Sequence, residues 1–263
     1  MVGLDERALA DIQSTFDLPR LRFADAVTVG QHLRKCGDDL DREDAAAQRV
    51  VEYLYEVLRD IDTATPSCAL IRCFQTHPYA DLPEAYQAAA RRGMDGDEPA
   101  SDLRCLALLA TRGLEAAWNQ PETSVGHLAI PLTDVASIEQ RPMVARLVAQ
   151  MGLEPRHLVE PRTALLMNAS EYRNFGVFHV ETAGGSVYLP AQQTFVEQYG
   201  IRSVVGMGGL LPSGEFFAVI LFAQVTISRE IAELFRTLAL SVKLTFLPFA
   251  PDAVFTVSPE CVV

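Results

Sequence analysis

The chain has 263 residues, of which 49% are hydrophobic and 21% charged, and its formal net charge is −12 at neutral pH. That composition is globular, with enough apolar material for a substantial core, and it argues against a disordered chain. The acidic balance repels phosphate backbones and anionic lipid, and basic residues occur only in short groups such as Arg34 with Lys35 and Arg91 with Arg92, so neither nucleic acid nor a membrane surface is expected as a partner.

Residues 1–41 read as an N-terminal extension of helical character, interrupted by Pro19, whose Phe16, Leu18, Leu21 and Phe23 need an apolar surface to pack on. The N-terminus carries acidic residues where a secretory signal needs positive charge. The longest strongly apolar run, Phe216 to Ala223, has the length of a strand rather than a membrane span. Five cysteines (Cys36, Cys68, Cys73, Cys105 and Cys261) fit buried free thiols in a reducing compartment, so a cytoplasmic protein is expected.

From Arg42 to Asp60 the spacing of Val50, Val51, Leu54, Val57 and Leu58 predicts a helix, with Asp41 as its cap and Glu43 and Asp44 in its first turn. Ser67 to Phe74 reads as a strand, Thr76 to Pro83 as a loop, and Pro83-Glu84 opens a short helix through Arg92. An acidic loop follows to Ser101, and Cys105 to Ala110 is too short a run for periodicity to decide between strand and helix. Gly126 to Leu132 predicts a strand, Met143 to Met151 a helix closed by Gly152, and Phe175 to Val180 another strand. Ile201 to Met207 predicts a strand ending in a Gly208-Gly209 turn, and Phe216 to Ala223 a fully buried strand. Ser228 caps a last helix to about Leu247, whose stripe of Ile231, Leu234, Phe235, Leu238, Val242 and Phe246 is joined by a second of Leu240, Leu244 and Leu247. A helix apolar on two sides is either deeply buried or packs against another chain.

The order of the last third (Tyr199 to Gly206, a turn at Ser213-Gly214, Phe216 to Phe222, then the helix from Ser228) resembles the GAF family. The likeness runs loosely from residue 42 to 247. Cys73 to Tyr79 and Phe195 to Ser203 are similar to bacterial sensor modules associated with histidine-kinase signalling. The resemblance implies an α/β (α+β) fold, a GAF-like antiparallel sheet flanked by helices, with N- and C-terminal helices able to form a dimer bundle and an effector site on the opposite sheet face. It also implies a domain over 42–250, a tail over 251–263, and an inserted or lid segment over 93–190, which is longer than a compact GAF domain needs. The cyclic-nucleotide and bilin motifs of that family cannot be placed here.

Phe74, His77, Tyr79, Trp118, His127, Phe178, His179, Tyr199 and Arg202 flank the predicted loops and are candidates to line a small-molecule cleft, with core and rim packing as the alternative. Cys68 and Cys73 are five apart, so on a regular strand they point to opposite faces and cannot share one tetrahedral metal site. Cys73 and His77 converge only across a loop, with Cys105 or His179 joining, and Cys73, Cys105 and His77 are therefore the redox or metal candidates beside the simpler reading of inert thiols. There is no G-x-S-x-G elbow, Gly206 to Gly209 lacks the spacing of a dinucleotide loop, and the acidic run Asp38, Asp39 and Asp41 is explained by capping. No catalytic signature is recognised and no cofactor is evident. The expectation is a sensory module for a small-molecule or redox effector that signals to a separate protein such as a histidine kinase, as a homodimer. A cysteine-dependent sulfoxide reductase, or a haem- or metal-loaded sensor, are the competing expectations.

Overall fold

Strand alternation divides this molecule into an inner and an outer layer. The computed structural model describes residues 14–94, 99–123, 127–160, 175–249 and 254–255. In chain order, β1 (Phe16–Asp17) leads to helix α1 (Phe23–Leu33), α2 (Glu43–Val57), β2 (Leu58–Asp60) and β3 (Thr65–Pro66), and then to the long strand β4 (Cys68–Pro78). Helix α3 (Glu84–Arg92), strands β5 (Arg104–Gly113) and β6 (Ala129–Leu132), and helices α4 (Val135–Glu139), α5 (Pro142–Gln150) and α6 (Arg156–Val159) follow. The chain closes with β7 (Phe175–Val180), β8 (Ser203–Leu210), β9 (Phe216–Ala223) and α7 (Arg229–Phe246). β1, β2 and β3 form a small sheet, and the main sheet has six strands in the order β6-β5-β4-β9-β8-β7, antiparallel throughout.

On β4, β7, β8 and β9 the side chains divide by parity, because successive residues of a strand face opposite ways. Odd-numbered Ile71, Cys73, Val177, Val205, Met207, Val219 and Leu221 pack with α1, α2 and α7 in the inner core. Even-numbered Leu70, Phe74, Phe178, Val204, Ala218, Ile220 and Phe222 pack with α4, α5, α6 and the segment from Ala183 to Ile201 in the outer core. The fold is α+β, an antiparallel sheet flanked by helices, with helices near both ends of the chain.

The terminal helices meet. Thr245 Oγ1 of α7 donates to Leu33 O of α1 at 2.7 Å, and a Cβ on Gly30 would come within 2.7 Å of Ser241 Oγ. Small residues therefore let these two backbones approach closely, and Leu18, Leu21, Ala26, Val29 and Leu33 join the same core as α2 and α7. The described part of the predicted extension is thus integral to the domain. At the start of α7, Ser228 Oγ accepts from the Ile231 N–H at 3.3 Å, the predicted cap.

Several boundaries differ from expectation. β4 continues through Thr76 to Pro78 where a loop was predicted, because Gln75 and His77 pair across to Phe217 and Cys105 and are buried despite their polarity. Gly208 and Gly209 are strand residues opposite Ala218 and Phe217, not a turn. The undecided run at Cys105 belongs to β5, and the helix from residue 42 ends at Val57, where β2 begins. The stretch 93–190, read as an inserted or lid segment, supplies β5, β6 and β7 and so half of the main sheet. Cys68 and Cys73 do not face opposite ways. The ladder between β4 and β9 is irregular between Cys68 and Leu70, and that slip returns Cys68 to the inner core beside Cys73.

α5 lies so close to β7 that a Cβ on Gly176 would fall 1.9 Å from Met151 Cα, whereas one on Gly184 would meet nothing within 4 Å. Gly176→Ala should therefore lower the unfolding free energy in urea by on the order of 3 kcal/mol. Gly184→Ala should leave it within about 0.5 kcal/mol of the parent.

Candidate functional site

The outer face of the sheet is mostly apolar around one charge, with the Thr111 hydroxyl beside it. Arg72 sits on β4 between Leu70 and Phe74, and the strand register sets it in a row with Thr111, Ile220, Gly206 and Phe178. A guanidinium in such a surface is held by interactions with its surroundings, and Arg72 has them. Burial brings its pKa down to about 10, so it remains a cation at neutral pH. His127, before β6, has its pKa lowered by the surrounding protein and then by the Arg72 guanidinium, although much of the residue's surface is open.

Beside Arg72, one step along the same face, is an aromatic cluster. Leu70 pairs with Phe222, and the Phe222 ring meets Phe195 edge-on at 5.1 Å between centroids. Phe195 in turn lies 5.8 Å from Trp118 and 5.9 Å from Tyr199, and Trp118 and Tyr199 are 4.6 Å apart. The elements behind these positions are specific. Trp118 stands on a short turn after β5, held where Asn119 Oδ1 accepts from the Gly113 N–H at 2.9 Å. Phe195 stands on a turn of π-helix (Gln192–Glu197), anchored because Gln192 Nε2 donates to the carbonyls of Ala183, Ser186 and Leu189. One cation beside four half-buried or buried rings can hold a planar anion, with the guanidinium on the charge and the rings on the body.

The nine residues expected to share a cleft do not do so. Phe74, Trp118, Phe178 and Tyr199 lie in or against the outer core, and His127 joins them through Arg72. His77 and His179 have the opposite parity and face inward, where His179 Nε2 hydrogen-bonds to Ile227 O at 2.8 Å. Tyr79 packs with Leu82, Tyr86 and Cys105 in a third cluster under α3, and Arg202 is exposed. Arg72, Phe195 and Phe222 were not among the expected site residues. Arg72 had a signal, as the only charge in the apolar run from Cys68 to Phe74 and in phase with Leu70 and Phe74.

The cysteines are separated as well. Cys105 stands opposite His77 in the β4–β5 ladder, while Cys73 stands opposite Ala110. Four residues of strand between Cys73 and His77 amount to about 13 Å, so Cys73 and Cys105 are too far apart for one bond or one metal ion. Burial raises every described thiol, that of Cys68 to about 12 and that of Cys105 to about 11, which keeps them protonated and poor nucleophiles. Cys261 lies outside the described residues. Among the described residues no three His, Cys, Asp or Glu side chains stand close enough to hold a metal ion.

No family model matches this chain, and no curated protein is significantly similar to it. The geometry above therefore carries the functional reading.

His77 is 4% exposed, and burial, followed by the nearby Arg104 guanidinium, lowers its pKa to about 3. The unfolded chain takes up this proton near pH 6.5 and the folded chain only near pH 3, so stability from the neutral ring is complete above pH 6.5 and lost as pH falls towards 3. His77→Gln should flatten that fall by about 1 kcal/mol per pH unit between about pH 6 and about pH 4, measured by urea denaturation.

Proposed function

We propose that this chain is a GAF-like sensory or regulatory module, working inside the cell, that binds a small anionic ligand with an aromatic body on the outer face of its sheet. The observation that carries this reading is Arg72, a cation on β4 one step along the sheet face from Leu70 and Phe222, where Phe195, Trp118 and Tyr199 cluster. Raised thiol pKa values turn the reading away from a redox effector and from a cysteine-dependent reductase.

Readout would pass through the terminal helices. The row Arg72–Ile220–Gly206 is backed on the inner face by Val205, Met207, Val219 and Leu221, which pack in the core shared with α7. α7 exposes Leu240 and Leu244 at 44% and 41%, with Leu247 just past its end at 42%, apolar side chains suited to a second copy of the chain or to a separate signalling protein such as a histidine kinase. A ligand shifts such an equilibrium only by its difference in affinity for the two states, so the guanidinium must be placed differently in each.

Isothermal titration with benzoate and indole-3-carboxylate, each beside its neutral amide, tests the site. The carboxylates should bind at least about tenfold more tightly than the amides, and Arg72→Met should remove that preference while the protein stays folded. Equal affinity for acid and amide, or an Arg72→Met protein that keeps the preference, would overturn the proposal.

A further inference from the structure

The inner face holds a cleft of about 180 Å³ that the outer-face reading does not use. It is bounded by the start of α2, the end of β4, the turn between β8 and β9, and the end of α7 with Val254 beyond it. Its polar lining is Glu43, Gln75, His77, Asp81, Ser213 and Glu215, and Phe246 gives it an apolar wall. Glu43, Gln75 and His77 are 3%, 1% and 4% exposed. In each of them one buried polar atom has no hydrogen-bond partner: Glu43 Oε1, Gln75 Oε1 and His77 Nε2. Buried polar atoms left so cost free energy, and three around one cleft point to something that fills them.

A donor satisfies all three atoms once Glu43 has given up its proton and His77 carries its hydrogen on Nδ1. A hydrogen bond between the Glu43 and Gln75 side chains turns the Gln75 amide nitrogen to the carboxyl and leaves its oxygen open. His77 is neutral at pH 7, so one ring nitrogen is an acceptor. Nearby cations are already engaged. Arg104 Nη2 donates to Thr76 O and Oγ1 at 3.2 and 3.0 Å and lies 3.7 Å from Glu215, and Lys243 Nζ donates to Leu210 O at 2.7 Å. The first N–H groups of α2 do not offer an anion site either, since Asp44 N–H donates to Val254 O at 3.0 Å and Ala45 N–H to Asp44 Oδ1 at 2.7 Å. The size of the cleft is close to that of a cavity of about 150 Å³ that takes one benzene ring.

We propose that this cleft is a second binding site, for a small organic cation carrying N–H donors (an amidine, guanidine or primary amine) on a body about the size of one six-membered ring. Glu43 supplies the counter-charge, Gln75 Oε1 and His77 Nε2 accept from the remaining N–H groups, and Phe246 covers the body. Burial, then the nearby Glu215 and Asp44 carboxylates, hold the empty Glu43 up to about 8 against the opposing Gln75 hydrogen bond, so a bound cation displaces a proton at neutral pH. The other titratable groups around it are Asp81 and Glu215 on the turns, His77 on β4, Arg104 on β5, and Lys243 on α7, which burial brings down to about 8. Because Lys243 titrates in the same window, a Glu43 variant is needed to assign the effect.

Titration calorimetry of the whole chain with benzamidine, which stays cationic throughout, tests the site against neutral benzamide. Benzamidine should bind at least about tenfold more tightly than benzamide, and its affinity should rise about threefold or more between about pH 6.5 and about pH 8.5. Glu43→Gln, which removes a buried carboxyl without changing its size, should stay folded, lose at least about tenfold in affinity and lose the pH dependence. Arg72→Met should bind benzamidine as the parent does, which separates this site from the outer one. No saturable binding, equal binding of benzamide, or parent-like affinity in Glu43→Gln would overturn the proposal.

Discussion

The paired strands β4 and β9 are covered on both sides, and the other layers depend on that constraint. β9 is buried at every position from Phe216 to Ala223, and β4 is buried at all but Arg72 and Pro78, so nothing on either strand can change face without emptying one core into the other. The ladder between them is continuous from Leu70 to Gln75, which locks inner residues against α2 and α7 and outer residues against the α4–α6 side. A one-residue slip would exchange the two sets; the β4–β9 ladder absorbs an extra residue only near Cys68, and the β4–β5 ladder absorbs one between Cys73 and Phe74.

In a sheet covered on both faces, each buried polar group is costly, and β4 carries several of them. Arg72 looks outward; Gln75 and His77 look inward. The same desolvation that lowers Arg72 and His77 raises Glu43, Cys68 and Cys105, so burial is the first cause of all these shifts. A chain selected for packing alone would fill these positions with aliphatic side chains. Their presence is the physical reason for placing two ligand sites back to back on one strand, one for an anion and one for a cation.

Much of the architecture is legible in the sequence where a segment has one environment. Phe216 to Ala223 and Phe175 to Val180 are strands with the expected ends, Glu84 to Arg92 is helical, and Ser228 caps α7. Reading failed where a segment has two environments. The polar end of β4 looked like a loop because Gln75, Thr76 and His77 gain their partners only from β5, β9 and the cleft. The candidate site was partly visible as residue types, since Phe74, Trp118, Phe178 and Tyr199 do gather. Which face each residue takes was not visible, because the shift that moves Cys68 inward is a property of pairing between strands distant in sequence.

Coupling across the sheet is the claim on which the sensory reading rests, and hydrogen–deuterium exchange with mass spectrometry measures it directly. With saturating benzoate on the whole chain, amide exchange should slow in β4 and β9 and also change in α1 and α7, and Arg72→Met should abolish both effects. Protection confined to the outer face, with α1 and α7 exchanging as in the free protein, would contradict the account.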